Sequence, residues 1–161
     1  MILLCYDGSP DATSAIEKAG ELMLQARAIV VTVWEPFMDY LSRRGGGVLY
    51  WPEEVSFEDV DAGAERSARE QAQEGARRAR DVGLRAEARA AMRAGSVAET
   101  ILSLAEELQA QAIVLGTRGR SGYKAVLLGS VSHEVVQHAD RPVIVVPSPA
   151  LAARRAARWG E

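Results

Sequence analysis

Ala112-Ile113-Val114-Leu115-Gly116-Thr117-Arg118-Gly119, followed after nine residues by Gly129-Ser130, is the stretch on which the reading of the fold turns. A short apolar run, a glycine-bearing loop and the start of a helical stripe (Val131, Val135, Ala139) arrive in that order. A helix start presents backbone N–H groups without intrahelical partners and the positive end of the macrodipole. Glycines ahead of it permit close approach of a ligand and positive φ at little cost. The combination predicts an anion cradle of the kind that holds phosphates. Four glycines with Ser121, Ser130 and Ser132 fall within the 17 positions from 116 to 132, more than a simple turn requires.

Working outward, the same alternation repeats. Met1 to Tyr6 is a nearly continuous apolar run, the pattern of a strand buried on both faces of a parallel sheet. Ser9-Pro10 then predicts a helix, with serine as N-cap and proline at the first helical position. Ala12, Ala15, Ile16, Ala19, Leu22, Met23 and Ala26 follow at helical spacing. Ile29 to Trp34 is a second strand. Asp59 to Val82, rich in Ala, Glu and Arg, reads as a helix with Glu65–Arg69 and Glu74–Arg78 at supportive i,i+4 spacing. Gly63 and Gly75 each weaken it by about 1 kcal/mol relative to alanine. Leu84 to Met92 alternates, with Leu84, Ala86, Ala88 and Ala90 opposite Arg85, Glu87 and Arg89, as an edge strand would. Ser96-Val97-Ala98-Glu99 is a capping box that opens an amphipathic helix through Val97, Ile101, Leu104, Ala105 and Leu108. Pro142 to Pro147 encloses a final apolar strand.

The pattern βαβαβαβαβ predicts an α/β fold: a single doubly wound, five-stranded parallel sheet in the order 3-2-1-4-5, with helices on both faces. Residues 1–147 read as one domain, and 148–161 as a C-terminal tail. The last strand carries no charge between its prolines, so an exposed edge there invites pairing. Either helices cover it, or a second copy pairs across a two-fold axis; the missing charges favour a homodimer through Val143–Val146.

Composition sets the outer bounds. The 161 residues suffice for one buried core. A formal net charge of −3 gives no reason to expect a nucleic-acid partner, and no apolar stretch approaches the length of a membrane span. The N-terminal run is short and lacks a basic flank, so it reads as a strand rather than a leader. The single cysteine makes no internal disulfide, in keeping with a reducing compartment and a cytoplasmic location.

Several chemistries fail on spacing. No lysine follows Gly129 as a Walker loop demands, and Gly116, Gly119 and Gly122 lack the dinucleotide spacing and follow the fourth strand rather than the first. His133 and His138 are five apart, rotated by about 140° around a helix, and cannot share a metal as HExxH does. Cys5 reads as a small core residue. In a 3-2-1-4-5 sheet the loop after strand four adjoins the loop after strand one, the switch point where open α/β sheets bind ligands. Asp7 ends strand one there, either to meet a ligand or to shape the turn. Arg118, Arg120 and Lys124 either meet phosphates or form a solvated loop surface.

These residues resemble the universal stress protein family in its nucleotide-binding branch, over roughly Met1 to Pro147. The specific motif is G-x2-G-x9-G-[S/T], met by Gly116, Gly119, Gly129 and Ser130; Tyr6-Asp7-Gly8-Ser9 and Arg141-Pro142-Val143-Ile144-Val145-Val146 support it. The resemblance implies an adenine nucleotide alpha hydrolase-like fold with an ATP site between strands one and four. It assigns Asp7 to the ribose and the backbone of Val33 to the adenine. Leu115, Gly116, Gly119, Gly129, Ser130 and Val131 would wrap ribose and phosphates, with Ser132 and Arg118 nearby. Mg²⁺ would arrive with the phosphates. Thr32 stands where many relatives carry histidine.

The function implied is that of a cytoplasmic ATP-binding regulatory or stress-response factor. The alternatives are a slow ATPase and a dimeric interaction module with a vestigial site. No residue is an obvious general base or arginine finger, which argues against fast turnover. The connection from Glu35 to Glu58 reads as either a lid over the phosphates or a surface loop. In the tail, Leu151 to Glu161 has the pattern of an amphipathic helical turn.

Overall fold

The computed structural model describes residues 1–43, 56–119 and 128–159. Strands β1 (Ile2–Cys5), β2 (Arg27–Trp34), β3 (Arg85–Met92), β4 (Ala112–Gly116) and β5 (Val143–Val146) form one parallel sheet in the order β3-β2-β1-β4-β5. Ile2 is in register with Ala28 on one side and Ala112 on the other. Leu3 and Leu4 are fully buried on opposite faces, as the unbroken apolar run requires.

Helices α1 (Pro10–Leu22) and α3 (Phe57–Asp81) cover the face carrying Ile2, Leu4, Tyr6 and Val30. Helices α4 (Val97–Glu107) and α5 (Ser130–His138) cover the face carrying Leu3, Val31, Ile113 and Leu115. The predicted caps form: Ser9 Oγ accepts from Ala12 N at 3.2 Å. In the capping box, Ser96 Oγ accepts from Glu99 N at 3.0 Å and Glu99 returns a carboxylate to Ser96 N at 2.7 Å.

Five differences from the sequence reading have local causes. Helix α1 stops at Leu22, so Ala26 is outside it and packs on the core ahead of β2. Helix α3 starts at Phe57, earlier than Asp59, because Ser56 accepts from Asp59 N. The alternation of β3 changes phase: Ala86 is buried on one face and Ala91 on the other, while Ala88 is exposed. Both faces of this edge strand meet the core, Ala86 beside α3 and Ala91 beside α4. A further helix, α2 (Phe37–Arg43), begins the long connection. It has no buried residue and is held by Asp61 accepting from Phe37 N at 2.7 Å, by stacking of Phe37 on Phe57, and by Arg43 pairing with Glu35. The tail forms helix α6 (Pro149–Trp159), anchored through buried Leu151. Most of the proposed lid, residues 44–55, lies outside the described residues.

Candidate functional site

Beyond Cys5 the chain leaves the sheet for α1 on one face, and beyond Gly116 it leaves for α5 on the other. A crevice must open where neighbouring strands part in opposite directions. It does, as a cavity of about 270 Å³. Its lining is mixed: apolar side chains come from Cys5, Val31, Val33, Val97, Ile101 and Val131, and polar groups from Asp7, Gln71, Arg118, Gly119, Gly129, Ser130 and Ser132. A lining that combines apolar side chains with a few polar groups suits a ligand with an apolar part and a polar part.

The loop after β1 is built around Asp7. Its Oδ1 accepts from Ser9 N at 3.0 Å, the turn that an aspartate two residues ahead of a helix cap makes. Its carbonyl accepts from Gln71 Nε2 of α3 at 2.8 Å. Gly8 between them has φ +78°, a conformation that favours glycine. Asp7 therefore shapes the turn and lines the cavity at once.

The glycines after β4 serve space rather than conformation, since positive φ among the described glycines is confined to Gly8, Gly83 and Gly95. A Cβ on Gly116 would lie 2.7 Å from the Asp11 backbone, so glycine lets β4 end against the start of α1. A Cβ on Gly119 would lie 2.7 Å from Asp7 Oδ2. Gly129 differs: its φ is −67°, and a Cβ would meet nothing closer than Arg118 Cα and Thr117 O at 3.4 Å. Neither backbone shape nor internal packing demands glycine there.

The start of α5 offers fewer amides than a bare helix end would. The Gly129 amide is already committed, donating to Thr117 O at 2.8 Å. The Ser132 hydroxyl donates to the same carbonyl at 2.7 Å and to Gly129 O at 3.0 Å, which explains its burial. The first-turn amides of Ser130, Val131 and Ser132 remain: Gly129 has no side chain to cap them, and no acceptor for them occurs among the described residues. Across the loop, Arg118 N donates to Asp11 Oδ2 at 3.2 Å, and its carbonyl accepts from Ser9 Oγ at 3.3 Å.

Asp7, Val33, Leu115, Gly116, Arg118, Gly119, Gly129, Ser130, Val131 and Ser132 all line the one cavity. Arg120, Ser121, Gly122 and Lys124 lie outside the described residues. Sequence reasoning missed Tyr6, Val97 and Ile101 as wall residues, because each also fits an ordinary helix or strand stripe, and Gln71, because its contact with Asp7 is long-range. Cys5 is a wall residue too, and burial, aided by the Asp7 carboxylate, pushes its thiol up to about 12. Burial likewise raises Tyr6, whose hydroxyl donates to Glu74 Oε1 at 3.2 Å. Among the described residues, no group of three or more His, Cys, Asp or Glu side chains could hold a metal.

An open α/β sheet with a crevice at its switch point and an uncapped helix start beside it defines the architectural class of this chain. A model of the universal stress protein family matches residues 1–147, and the chain belongs to that family. A universal stress protein of Thermus aquaticus is 36% identical over 148 residues, 90% of this chain and 96% of that protein. A universal stress protein from Archaeoglobus fulgidus in complex with dAMP has 23% identity and a TM-score of 0.61, covering 90% of this chain and 95% of that one. A universal stress protein in complex with cAMP has 20% identity and a TM-score of 0.64, covering 91% and 96%. The shared fold is adenine nucleotide alpha hydrolase-like.

Proposed function

We propose that this protein binds ATP at the β1–β4 crevice and acts as a cytoplasmic regulatory or stress-response factor rather than as a fast enzyme. The observation that carries the reading is the uncapped start of α5. Three successive amides there have no acceptor among the described residues, beside a glycine that the protein's own packing does not require. Unpaired donors are costly unless water or a ligand takes them, and phosphate oxygens suit both the donors and the dipole. The space left at Gly129 is where a triphosphate would come closest. The adenine nucleotides named for the two structural relatives support the same ligand class.

In this reading the amides of Ser130, Val131 and Ser132, with the Ser130 hydroxyl, hold the phosphates, and Arg118 and Gly119 lie beside them. Asp7 takes the ribose, and Leu115, Gly116 and the backbone of Val33 frame the base. Mg²⁺ comes with the phosphates and needs few protein ligands. The protein pairs with a second copy through the outer edge of Val143–Val146, and its net charge of −3 favours neither nucleic acid nor a membrane surface. No helix among the described residues is long and apolar enough to cross a membrane.

A thermal-shift titration with Mg-ATP tests the reading. At about 100 times Kd, binding stabilises by roughly 2.7 kcal/mol, a melting rise of roughly 5 to 10 °C for a chain of this size. Gly129→Val folds, because φ and space allow a side chain, and loses the rise. No rise in the wild type, or the same rise in the variant, overturns the assignment.

A further inference from the structure

The β1–β2 ladder stops one rung early, and the residue that stops it is Thr32. Arg85 N donates to Ala26 O and Arg93 N to Trp34 O, so the even-numbered residues of β2 turn their backbone groups towards β3. Tyr6 N donates to Val31 O at 2.9 Å, so the odd-numbered residues serve β1. A continued parallel ladder would next bring Val33 N to Tyr6 O. That bond does not form. The Tyr6 carbonyl instead accepts from Thr32 Oγ1 at 2.7 Å, and this threonine is buried.

We infer that Thr32 is a positioning residue whose hydroxyl occupies the Tyr6 carbonyl and thereby leaves the Val33 backbone N–H and C=O to read a purine base. The inference rests on the nucleotide-site reading above. Val33 and Thr32 both line the cavity. Because the N–H and C=O of one strand residue point to the same side, Val33 offers the crevice a donor and an acceptor together. Adenine presents an acceptor at N1 beside a donor at its 6-amino group, which complements that pair. Guanine presents a donor at N1 beside an acceptor at O6, so the same backbone meets it donor to donor and acceptor to acceptor. A valine in place of Thr32 frees the Tyr6 carbonyl for the Val33 N–H, and the ladder closes over the reading edge.

Two measurements test this on the full chain. Calorimetric titration with ATP and with GTP is run on the wild type, Thr32→Val and Thr32→Ser. Thr32→Val lowers ATP affinity about tenfold, the factor that one hydrogen bond of about 1.4 kcal/mol supplies, and leaves GTP affinity unchanged. Thr32→Ser keeps the hydroxyl and keeps the ATP:GTP ratio. Amide hydrogen exchange without nucleotide reads the cause directly: Val33 exchanges much faster than Val31 in the wild type and becomes protected in Thr32→Val. A Val33 amide already as protected as that of Val31, or an unchanged ATP:GTP ratio in Thr32→Val, overturns the role of Thr32. If the wild type binds neither nucleotide while its Val33 amide exchanges fast, the nucleotide-site reading fails and the base-reading role falls with it.

Discussion

Helix α3 carries two glycines that respond to alanine with opposite sign. Gly63 faces open space, with no atom within 4 Å of a built Cβ. Gly63→Ala therefore gains helix propensity alone, about 0.5 to 1 kcal/mol. At Gly75 the same Cβ would lie 2.7 Å from Tyr6 Cδ1, 2.8 Å from Tyr6 Cγ and 2.8 Å from Val30 Cγ1. Tyr6 and Val30 are buried in the centre of the sheet and cannot retreat without moving β1 or β2. Overpacking of this kind costs about 1 to 3 kcal/mol, which exceeds the propensity gain. Gly75→Ala is thus destabilised by roughly 1 to 2 kcal/mol, a drop of a few degrees in Tm, while Gly63→Ala rises by a degree or more. Tyr6 also lines the cavity, so Gly75→Ala weakens ligand binding and Gly63→Ala does not. Urea denaturation of the two variants with the wild type, followed by circular dichroism at matched m-values, measures the pair. If Gly75→Ala proves as stable as Gly63→Ala, the close approach of α3 to the sheet is not what holds glycine at that position.

Three further outcomes are expected. With its thiol pushed up to about 12, Cys5 stays protonated in the folded protein at pH 8, reacts slowly with Ellman's reagent, and slows further when Mg-ATP fills the cavity that it lines. Because that raised value exceeds the ordinary 9.0 of an unfolded thiol, stability attributable to Cys5 is intact below pH 9 and declines from there towards 12; equal pH profiles for Cys5→Ala and the wild type across that window would contradict it. Ile113 N donates to Pro142 O and Thr117 N to Val146 O, so even-numbered residues of β5 serve β4 and the backbone of Val145 faces outward. Val145→Pro removes that outward N–H without touching the β4 ladder, and sedimentation velocity should show a folded protein shifted from dimer to monomer.

The fold was legible because its local signals agree with one another. Ser9-Pro10, the Ser96–Glu99 box and unbroken apolar strands each specify one element, and the order of elements leaves little choice of sheet. Helix α2 was not legible, since it buries nothing and is held by long-range contacts from Asp61 and Phe57 that no local pattern reveals. The phase change in β3 arises because helices on both faces reach an edge strand whose sequence alternates as though one face were wet. In the site, the glycine spacing located the loop but not which property of glycine it uses: none of Gly116, Gly119 and Gly129 has positive φ. Each reports a distance to a neighbour, or the lack of one, which spacing alone does not encode. Gln71 was invisible for a related reason, because its hold on Asp7 depends on how α3 is laid across the sheet.

Thr117 O receives both the Gly129 amide and the Ser132 hydroxyl, so the end of β4 and the first turn of α5 are fastened to each other at a single oxygen atom. Where two points of a chain are clasped in this way, the closure cost of the residues between them grows only slowly with their number. Descendants of this gene can therefore insert, delete or recompose residues inside the clasp while the mouth of the following helix stays where it is, which makes that segment the natural place for new specificity to evolve.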